Sequence, residues 1–455
     1  MHRLLTPAML LATTLCGTVA RPAEILWPVV EVEEEVYRYD NANNGAGPFW
    51  CFGSTCIARA GDDVLVSGLE VIKGAKPLNN TRWLLYKRGA AGWELQQKDE
   101  KGRTREPCPI GVFPDGSVFL SVNPTLAPVD QYAGPAQPQI LRFSSRSPRD
   151  PFETIIPQWD GSPTFTEHSY RSFAIDAANR EMILFQNIGY THAEWTFRDR
   201  DGKWIRRGKL VWPWGAEYTK PQPIRVCYPS VQLKNRAVYF CGVSDIVEPN
   251  DAWRAYKVKL TGQQWDYDFR RLFFTWTTDI TTGQFQPWVE IASREKTAGW
   301  VLPCDLRADD AGRVHLLWTE RAIDVRLRKQ FFPDEKQSES LHYAIVENGK
   351  VVHRQAIVLA REEESGETPG RAQFHQTPDG RLFVFFYVSG KSAGNRLVEL
   401  RPDRTISPAV AVPLKTPMAT FFAAGVRGGS PPSNVIDVLG ESGRAVRYAR
   451  LRLAK

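Results

Sequence analysis

Residues 166–204 read TEHSYRSFAIDAANREMILFQNIGYTHAEWTFRDRDGKW and contain each element that recurs along the chain. A strand-like segment leads into a turn at Asn179-Arg180, and the apolar run Met182 to Phe185 follows it. Next comes a hairpin whose turn holds a glycine and is followed by Trp204. Short β-rich runs behind polar turns are typical of antiparallel strands. The stretch therefore predicts strands that return on one another within a single antiparallel sheet.

The turn followed by an apolar strand repeats along the sequence, while helical periodicity is nearly absent. The first six such strands begin near residues 64, 118, 182, 238, 314 and 382, at intervals of 54 to 76 residues. This spacing suits four-stranded propeller blades that carry insertions. The units are GDDVLVSG (61–68), PDGSVFLSV (114–122), ANREMILFQ (178–186), KNRAVYFCG (234–242), DAGRVHLLW (310–318), PDGRLFVFF (378–386) and ESGRAVRYARL (441–451). We predict an all-β fold, a single seven-bladed β-propeller over residues 21–455.

Hairpins with a Gly-containing turn follow several of these units. They are LLYKRGAAGWEL (84–95), WTFRDRDGKWIRR (195–207), AYKVKLTGQQWDY (255–267) and, without the tryptophan, LHYAIVENGKVVH (341–353). They resemble degenerate Asp-box hairpins of sialidase-like BNR-repeat propellers, which implies that they form the outer strands of blades. Two further segments, 31–41 and 444–453, are strand-like and are expected to pair and close the ring, and RLRKQFF (326–332) is expected to be a solvated loop.

The N-terminus predicts export. A positively charged start is followed by the apolar segment 4–19, with small residues near Ala20, which is the pattern of a signal peptide over residues 1–20. No later stretch approaches the ~20 apolar residues of a membrane-spanning helix. Removing the segment takes away Arg3 and leaves a net charge of about +6. We therefore expect an exported, soluble monomer, periplasmic or secreted, whose basic balance favours an acidic polysaccharide over nucleic acid as partner.

The segments just before the repeated apolar strands should be the inner strands that line the propeller channel. Six of them place a cysteine or histidine at comparable positions: Cys51 or Cys56, Cys108, His168, Cys227 with Tyr228, Cys304 and His375. Residues this far apart in sequence would then converge around one axis. This is the pattern of a functional site, and a ring of buried structural residues would have the same pattern.

The six cysteines that remain after cleavage have three interpretations. Local disulfides are geometrically possible between Cys51 and Cys56 and between Cys227 and Cys241. Alternatively, Cys108, Cys227 and Cys304 with a histidine could bind zinc, although no CxxC pair supports this. The third interpretation is buried free thiols. A structural Zn or Ca ion is possible, and no cofactor is required.

The region 45–270 resembles the polysaccharide lyases typified by the ulvan lyases. That family has a His, an inner strand, a turn, an apolar strand and a second His about twenty residues on, followed in the next blade by a Tyr-Pro and an Arg. Here His168 and His192 are 24 residues apart, and Tyr228-Pro229 heads the next unit. The position of the family's Arg falls on Gly242, so that Arg225 or Arg254 would have to take its role.

The resemblance implies β-elimination on a uronate-containing polysaccharide, with His168, His192, Tyr228 and Arg225 or Arg254 as catalytic residues. Tyr228, with a pKa lowered by a nearby cation, or His168 would remove the C5 proton, and Tyr228 or His192 would protonate the leaving oxygen. A guanidinium would neutralise the carboxylate. Arg171, Tyr190 and Trp195 are the expected sugar contacts.

Two other functions remain open. A non-catalytic glycan-binding propeller would use the fifteen tryptophans as platforms for sugar rings. A sialidase-like glycoside hydrolase would need three axial arginines, of which Arg171 and Arg225 fall on inner strands. The Arg-Ile-Pro signature of sialidases is absent, and WCFGST (50–55) stands in its place.

Overall fold

The computed structural model describes residues 26–50, 53–364 and 366–454, so that the predicted signal peptide and Cys51 lie outside the described residues. Within these ranges, strands form seven four-stranded antiparallel sheets. The first strand of each sheet contacts the first strand of the next, and the last returns to the first. The fold is therefore the predicted seven-bladed β-propeller.

Each blade runs outward from its first strand. The seven first strands are Ile57–Ala60, Ile110–Val112, Arg171–Asp176, Val226–Lys234, Ala298–Ala308, Thr368–Gln376 and Phe421–Ala423. The second strands are Asp63–Val71, Ser117–Val122, Glu181–Ile188, Ala237–Ser244, Val314–Ile323, Leu382–Ser389 and Val435–Ser442. Of the inner-segment candidates, Cys227, Tyr228, Cys304 and His375 lie in these first strands, and Cys56, Cys108 and His168 lie one to three residues before them.

The outer half of each blade is a third strand and a fourth strand. The third strands are Thr81–Gly89, Gln139–Ser144, His192–Arg198, Arg271–Thr277, Ser338–Glu347, Gly394–Leu400 and Ala445–Ala454. The fourth strands are Gly92–Lys98, Glu153–Ile155, Trp204–Val211, Val289–Ser293, Lys350–Arg361, Val410–Val412 and, in blade 7, Trp27–Arg38. Three short two-stranded ladders pair Pro135–Ala136 with Phe165–Thr166, Trp214–Gly215 with Gln222–Pro223, and Ile246–Val247 with Tyr267–Asp268.

Hydrophobic wedges between neighbouring blades form the core. Between blades 3 and 4, Ile183 and Phe185 of one second strand pack with Phe240 of the next, and all three are at most 1% exposed. The second strands are buried on both faces, and strands in this environment are apolar at nearly every position. This burial is the reason that they stand out as continuous apolar runs in the amino-acid sequence.

Two helices interrupt the strand pattern. Helix α1, Asp251–Thr261, begins after Asn250, whose side chain accepts the amide N–H of Trp253, and ends at Gly262 with φ of +71°. Helix α2 spans Val325–Phe331. Both lie between the second and third strands of their blades, and their aromatic residues contact each other, with 5.5 Å between the ring centroids of Trp253 and Phe332. Neither has the length and apolar character of a bilayer-spanning segment.

Three sequence expectations are therefore wrong. The segment 255–267, expected to be a hairpin, is mostly helix α1, because an Asn cap and a left-handed Gly cap enclose it. RLRKQFF lies largely in helix α2, capped by Asp324, and is not a loop. The unit 441–451 is a turn and the third strand of blade 7, because the N-terminal strand supplies the fourth.

The ring closes between the chain termini. Trp27–Arg38 pairs antiparallel with Ala445–Ala454, as expected from segments 31–41 and 444–453. Nearer the axis, Arg59 of blade 1 donates two hydrogen bonds of 2.6 Å to Asp437 of blade 7. Tyr448 also donates to Asp437, at 2.6 Å. A buried ion pair therefore joins the first blade to the last.

The segment before the first strand of blade 1 crosses the channel. The carbonyl of Gly53 accepts a hydrogen bond of 2.5 Å from Arg427 of blade 7. A Cβ on Gly53 would lie 1.6 Å from the Pro229 carbonyl oxygen of blade 4, so only glycine fits here. Ser54 accepts from the amide of Phe173 in blade 3 at 3.4 Å. Residues 53–55 therefore fill the axis and hold opposite blades at a fixed distance.

The Arg59–Asp437 pair should dominate the stability of ring closure. Arg59→Ala leaves the Asp437 carboxylate, 2% exposed, without its cation, and we expect a loss of about 3–5 kcal/mol in the free energy of unfolding. The control Arg38→Ala breaks an exposed pair with Glu35 and should cost at most about 1 kcal/mol. Urea denaturation measures both, and equal losses would contradict the assigned role.

Candidate active site

The candidate site lies on the upper face of the propeller, defined as the face on which first strands begin and second strands end. Here the first strand of blade 4 has a bulge between Cys227 and Ser230, and Tyr228 in it has φ of +51°. A bulky residue seldom adopts this conformation, and such strain concentrates at functional sites. The bulge places the Tyr228 side chain among several other aromatic residues.

Four tyrosines, Tyr170, Tyr190, Tyr228 and Tyr267, form what we call the tyrosine cluster. The rings of Tyr170 and Tyr228 lie 5.5 Å apart between centroids. The hydroxyls of Tyr190 and Tyr267 are hydrogen-bonded at 2.9 Å. Trp50 adds an edge-on contact to Tyr228 at 5.8 Å. The cluster draws residues from the channel segment and from blades 3 and 4.

Arg225 is the cation at the centre of the tyrosine cluster. Its guanidinium carbon lies 4.1 Å from the ring centroid of Tyr190 and 5.6 Å from those of Tyr170 and Tyr267. It is paired with the buried carboxylate of Asp245 at 2.9 Å. Guanidinium planes stack well on aromatic faces. Arg225 therefore holds the three rings together.

A second charged group flanks Tyr170 from blade 2. The guanidinium carbon of Arg105 lies 5.9 Å from the Tyr170 ring centroid. Glu106 lies between Arg105, at 3.3 Å, and Arg171, at 3.9 Å. Burial raises the pKa of Glu106, although both arginines act in the opposite direction. Arg171 is buried beneath this pair and does not line the surface.

His168 stands at the rim of the site with an exposed side chain. Its Nδ1 lies 2.8 Å from Oε1 of the buried Glu167, so Nδ1 carries the proton and donates it. Nε2 makes no hydrogen bond with any described residue. Burial and the nearby Arg105 lower the pKa of His168, although Glu167 acts in the opposite direction. His168 is therefore a neutral base with a free nitrogen at neutral pH.

The hydroxyls of Tyr170 and Tyr228 are neutral. Burial, with a smaller effect of Glu106, raises the pKa of Tyr170 to about 12. Burial, Tyr170 and Asp245 raise the pKa of Tyr228 well above its ordinary value. The expectation that a cation lowers the pKa of Tyr228 is wrong, because the loss of solvent outweighs the nearby guanidinium. These hydroxyls can donate protons, and they are poor bases.

Three sequence candidates lie away from this cluster. His192 begins the third strand of blade 3 and bonds to Thr191 at 2.8 Å and Glu194 at 3.0 Å. Arg254 lies on helix α1, where the sequence suggested a strand, and its Nη2 donates to the carbonyl of Gln264 at 3.5 Å. Trp195 is 7% exposed in the core between blades 3 and 4, so it presents no surface for a sugar ring.

The spacing of about twenty residues that separates the two histidines of the ulvan lyases separates two tyrosines of the cluster here. Tyr170 and Tyr190 are twenty residues apart and both contact Arg225, whereas His168 and His192 are 24 apart. The histidines are the more obvious candidates in the sequence, because imidazole is the more familiar base. The spacing alone would have selected the two tyrosines. Arg105, Glu106, Glu167, Asp245 and Tyr267 carried no signal in the sequence.

The cysteines do not form a common site. Among the described residues Cys108, Cys227, Cys241 and Cys304 are buried free thiols, so the disulfide suggested between Cys227 and Cys241 is not formed. The bulge separates them, since Cys241 pairs with Ser230. Cys108, Cys227 and Cys304 belong to three separate hydrophobic clusters. No group of three His, Cys, Asp or Glu side chains in the described ranges could hold a metal ion.

His375 does not hold a position comparable to the other inner-strand candidates. It pairs with Phe383 next to the turn at the lower end of its blade, and its Nε2 bonds to the Ser433 carbonyl at 2.7 Å. This strand also has a bulge near its upper end, between Pro369 and Ala372, and that bulge corresponds to the one at Tyr228. The first strands of blades 4 and 6 each contain a bulge, and the inserted residues shift the positions at which the two strands correspond. The sequence does not reveal these insertions.

Several solved structures share the propeller fold of this chain. An ulvan lyase of a polysaccharide lyase family, bound to -[GlcA(1-4)Rha3S]-, matches over 94% of this chain and 96% of its own, with 9% identity and a TM-score of 0.55. The polysaccharide lyase Uly1 matches with 10% identity over 94% of both chains and a TM-score of 0.49. An α-L-arabinanase of Penicillium chrysogenum matches with 11% identity over 94% and 98%, and a TM-score of 0.44.

No family model and no curated protein matches this sequence. At 9% identity the likeness to the ulvan lyase shows a shared fold. The sequence-based resemblance to ulvan lyases is confirmed at that level.

Arg225 should be coupled to Asp245, and Arg254 should be dispensable. Arg225→Met leaves the buried Asp245 carboxylate without its cation and should lower the free energy of unfolding by about 3–5 kcal/mol. Adding Asp245→Asn should recover part of this loss, giving a coupling energy of about 0.5–3 kcal/mol in a double-mutant cycle. Arg254→Met, on the exposed helix, should stay within about 0.5 kcal/mol of wild type. Additive losses from the two buried changes would contradict the pairing.

Proposed function

We propose that the chain is a polysaccharide lyase that cleaves a uronate-containing polysaccharide by β-elimination. The observation that carries the proposal is the pairing of His168, a neutral imidazole with a free Nε2, with the neutral hydroxyl of Tyr170, whose ring lies between two guanidinium groups. The ring centroids of His168 and Tyr170 are 6.5 Å apart. This is an edge-on contact, so the imidazole and the phenol are neighbours and a sugar lying over the rim would meet both.

The reaction divides between these two residues. Nε2 of His168 removes the proton at C5, α to the uronate carboxylate, while Glu167 stabilises the imidazolium that forms. The electron pair forms the C4–C5 double bond, and the C4–O bond breaks. Tyr170 gives its proton to the leaving oxygen. The proton held by His168 then restores the tyrosine through solvent, so that the enzyme is regenerated.

The arginines stabilise the charge that develops on the carboxylate. Removal of the C5 proton places electron density on the carboxylate oxygens, and guanidinium groups offer paired donors to such oxygens. Arg105 is the nearer of the two to His168, whose pKa it lowers. The guanidinium carbon of Arg225 lies 5.6 Å from the Tyr170 ring centroid. Both take the place that the family's arginine would hold at Gly242.

A non-catalytic glycan-binding propeller is the second candidate. Three guanidiniums at the site, Arg105, Arg171 and Arg225, already have carboxylate partners in Glu106 and Asp245. Such pairing weakens their attraction for a uronate. The aromatic cluster and the exposed rim would still hold a sugar by stacking.

The reaction is tested by incubating the protein with a panel of acidic polysaccharides. A lyase gives an unsaturated uronate that absorbs near ~235 nm, because the product alkene is conjugated with the carboxylate. We expect His168→Ala and Tyr170→Phe to lower kcat by about 10²–10⁴-fold. The matched control His192→Ala should stay within about threefold, since it removes a histidine outside the cluster.

Each alternative gives a different result in that assay. New reducing ends without the chromophore would identify a hydrolase. Binding without product would identify the glycan-binding module. Elimination that survives both His168→Ala and Tyr170→Phe would reject the residue assignment while keeping the reaction class.

The pH profile tests the base separately. His168 must be neutral to accept a proton, and its pKa is lowered. The acid limb of kcat/KM should therefore have its midpoint below about 6.5, the ordinary value for histidine. Because Glu167 raises the pKa of His168, Glu167→Gln should move this limb to still lower pH. Glu194→Gln, the equivalent change beside His192, should leave it in place, and a shift there would contradict the assignment.

A further inference from the structure

The lower face carries a cavity of about 270 Å³ between blades 5 and 6, far from the tyrosine cluster. Its walls come from the turns that join first to second strands in these blades and from the turn 401–404 of blade 6. Five arginines and three carboxylates line it. The carboxylates are Asp309, Asp379 and Glu399.

Two of the five arginines are already neutralised. Arg313 is bonded to Asp309 at 2.7 Å. Arg381 is bonded to Glu399 at 2.7 and 2.8 Å. Asp379 accepts a hydrogen bond from the Thr377 hydroxyl. Asp309 and Glu399 are therefore each paired with an arginine, whereas Asp379 has a hydroxyl partner and keeps its charge.

The other three, Arg307, Arg401 and Arg404, form no ion pair within the described part of the chain. Arg307 is 8% exposed, and its guanidinium donates only to the neutral amide oxygen of Gln376. Burial lowers the pKa of Arg307. The Nε of Arg401 is buried and has no hydrogen-bond acceptor.

A buried cation without a counter-charge costs several kcal/mol unless an anion accompanies it. Arg307 is such a cation, and an oxyanion in the cavity would accompany it, with the part-buried Arg401 and the exposed Arg404 lining the same cavity. We propose that this cavity is a binding site for an oxyanion, a sulfate ester or carboxylate carried by an acidic glycan or the corresponding free ion. The volume lies below the roughly 300–1,000 Å³ of sites for drug-sized ligands, which limits the occupant to a small group.

The floor of the cavity adds further hydrogen-bonding groups. The Nδ1 of His315 lies 2.7 Å from the hydroxyl of Tyr343, and both residues are buried. Planar guanidiniums bind oxyanions through paired donors, which a single lysine could not reproduce. The site is independent of the proposed elimination, because none of its residues belongs to the upper face.

Isothermal titration of the full chain with sodium sulfate, against sodium chloride at matched ionic strength, tests the site. Arg401→Gln/Arg404→Gln removes two of the unpaired guanidiniums, and we expect its sulfate affinity to fall at least about tenfold. The control Arg206→Gln removes one charge from an exposed outer strand and should leave affinity unchanged. Arg404→Gln alone changes an exposed turn residue and keeps the test valid if the double variant unfolds.

The same variants titrated with a sulfated and with a uronate oligosaccharide identify the source of the anion. A loss of oligosaccharide affinity in Arg401→Gln/Arg404→Gln, with Arg206→Gln unaffected, assigns the site to glycan anions. A loss confined to inorganic sulfate assigns it to a free ion. Sulfate affinity equal in the Arg404→Gln and Arg206→Gln variants, or no binding beyond that of chloride in the wild type, overturns the proposal.

Discussion

Closure of the ring is the constraint on which the rest of the structure depends. Trp27–Arg38 completes the blade that the C-terminal strand begins, so the two ends of the chain share one sheet. Joining such distant segments costs little more than joining near ones, because loop-closure entropy grows only with the logarithm of length. The buried Arg59–Asp437 pair then fixes the first blade against the last. Only in a closed ring do seven first strands point their upper ends at a common axis.

The architecture could be predicted from the sequence because strands that are buried on both faces appear in it as continuous apolar runs. Six of the seven turn-strand units are second strands, as expected, since these strands are apolar on both faces. The failures are also local. The segment 255–267 has a Gly-x-x-Trp turn, but Asn250 before it and Gly262 within it are helix caps. Capping residues decided the structure where the hairpin motif suggested strands.

The candidate site was only partly predictable. The upper ends of the first strands were correctly placed at the axis, and Tyr228 and Arg225 lie in the cluster. The bulge at Tyr228 shifts side-chain direction by one residue, and a one-residue shift moves a side chain to the other face of a strand. Arg225, just before this bulge, contacts Tyr170, two residues after His168. No pattern in the sequence records which strand carries such a bulge.

The arginines of the upper face are paired with carboxylates, whereas some arginines of the lower face are not. This difference limits which ligands each face can bind. On the upper face the guanidiniums of Arg105 and Arg225 are held by Glu106 and Asp245, so their positions are fixed before any ligand arrives. A fixed, compensated cation attracts a distant anion weakly, but it can stabilise charge that appears beside it during a reaction, because its dipoles need not reorganise. On the lower face, Arg307 has no carboxylate partner, so its charge is available to an anion in the ground state. Strong ground-state binding contributes nothing to the chemical step. The compensated face therefore suits the proposed elimination, and the uncompensated face suits the proposed binding of an anion.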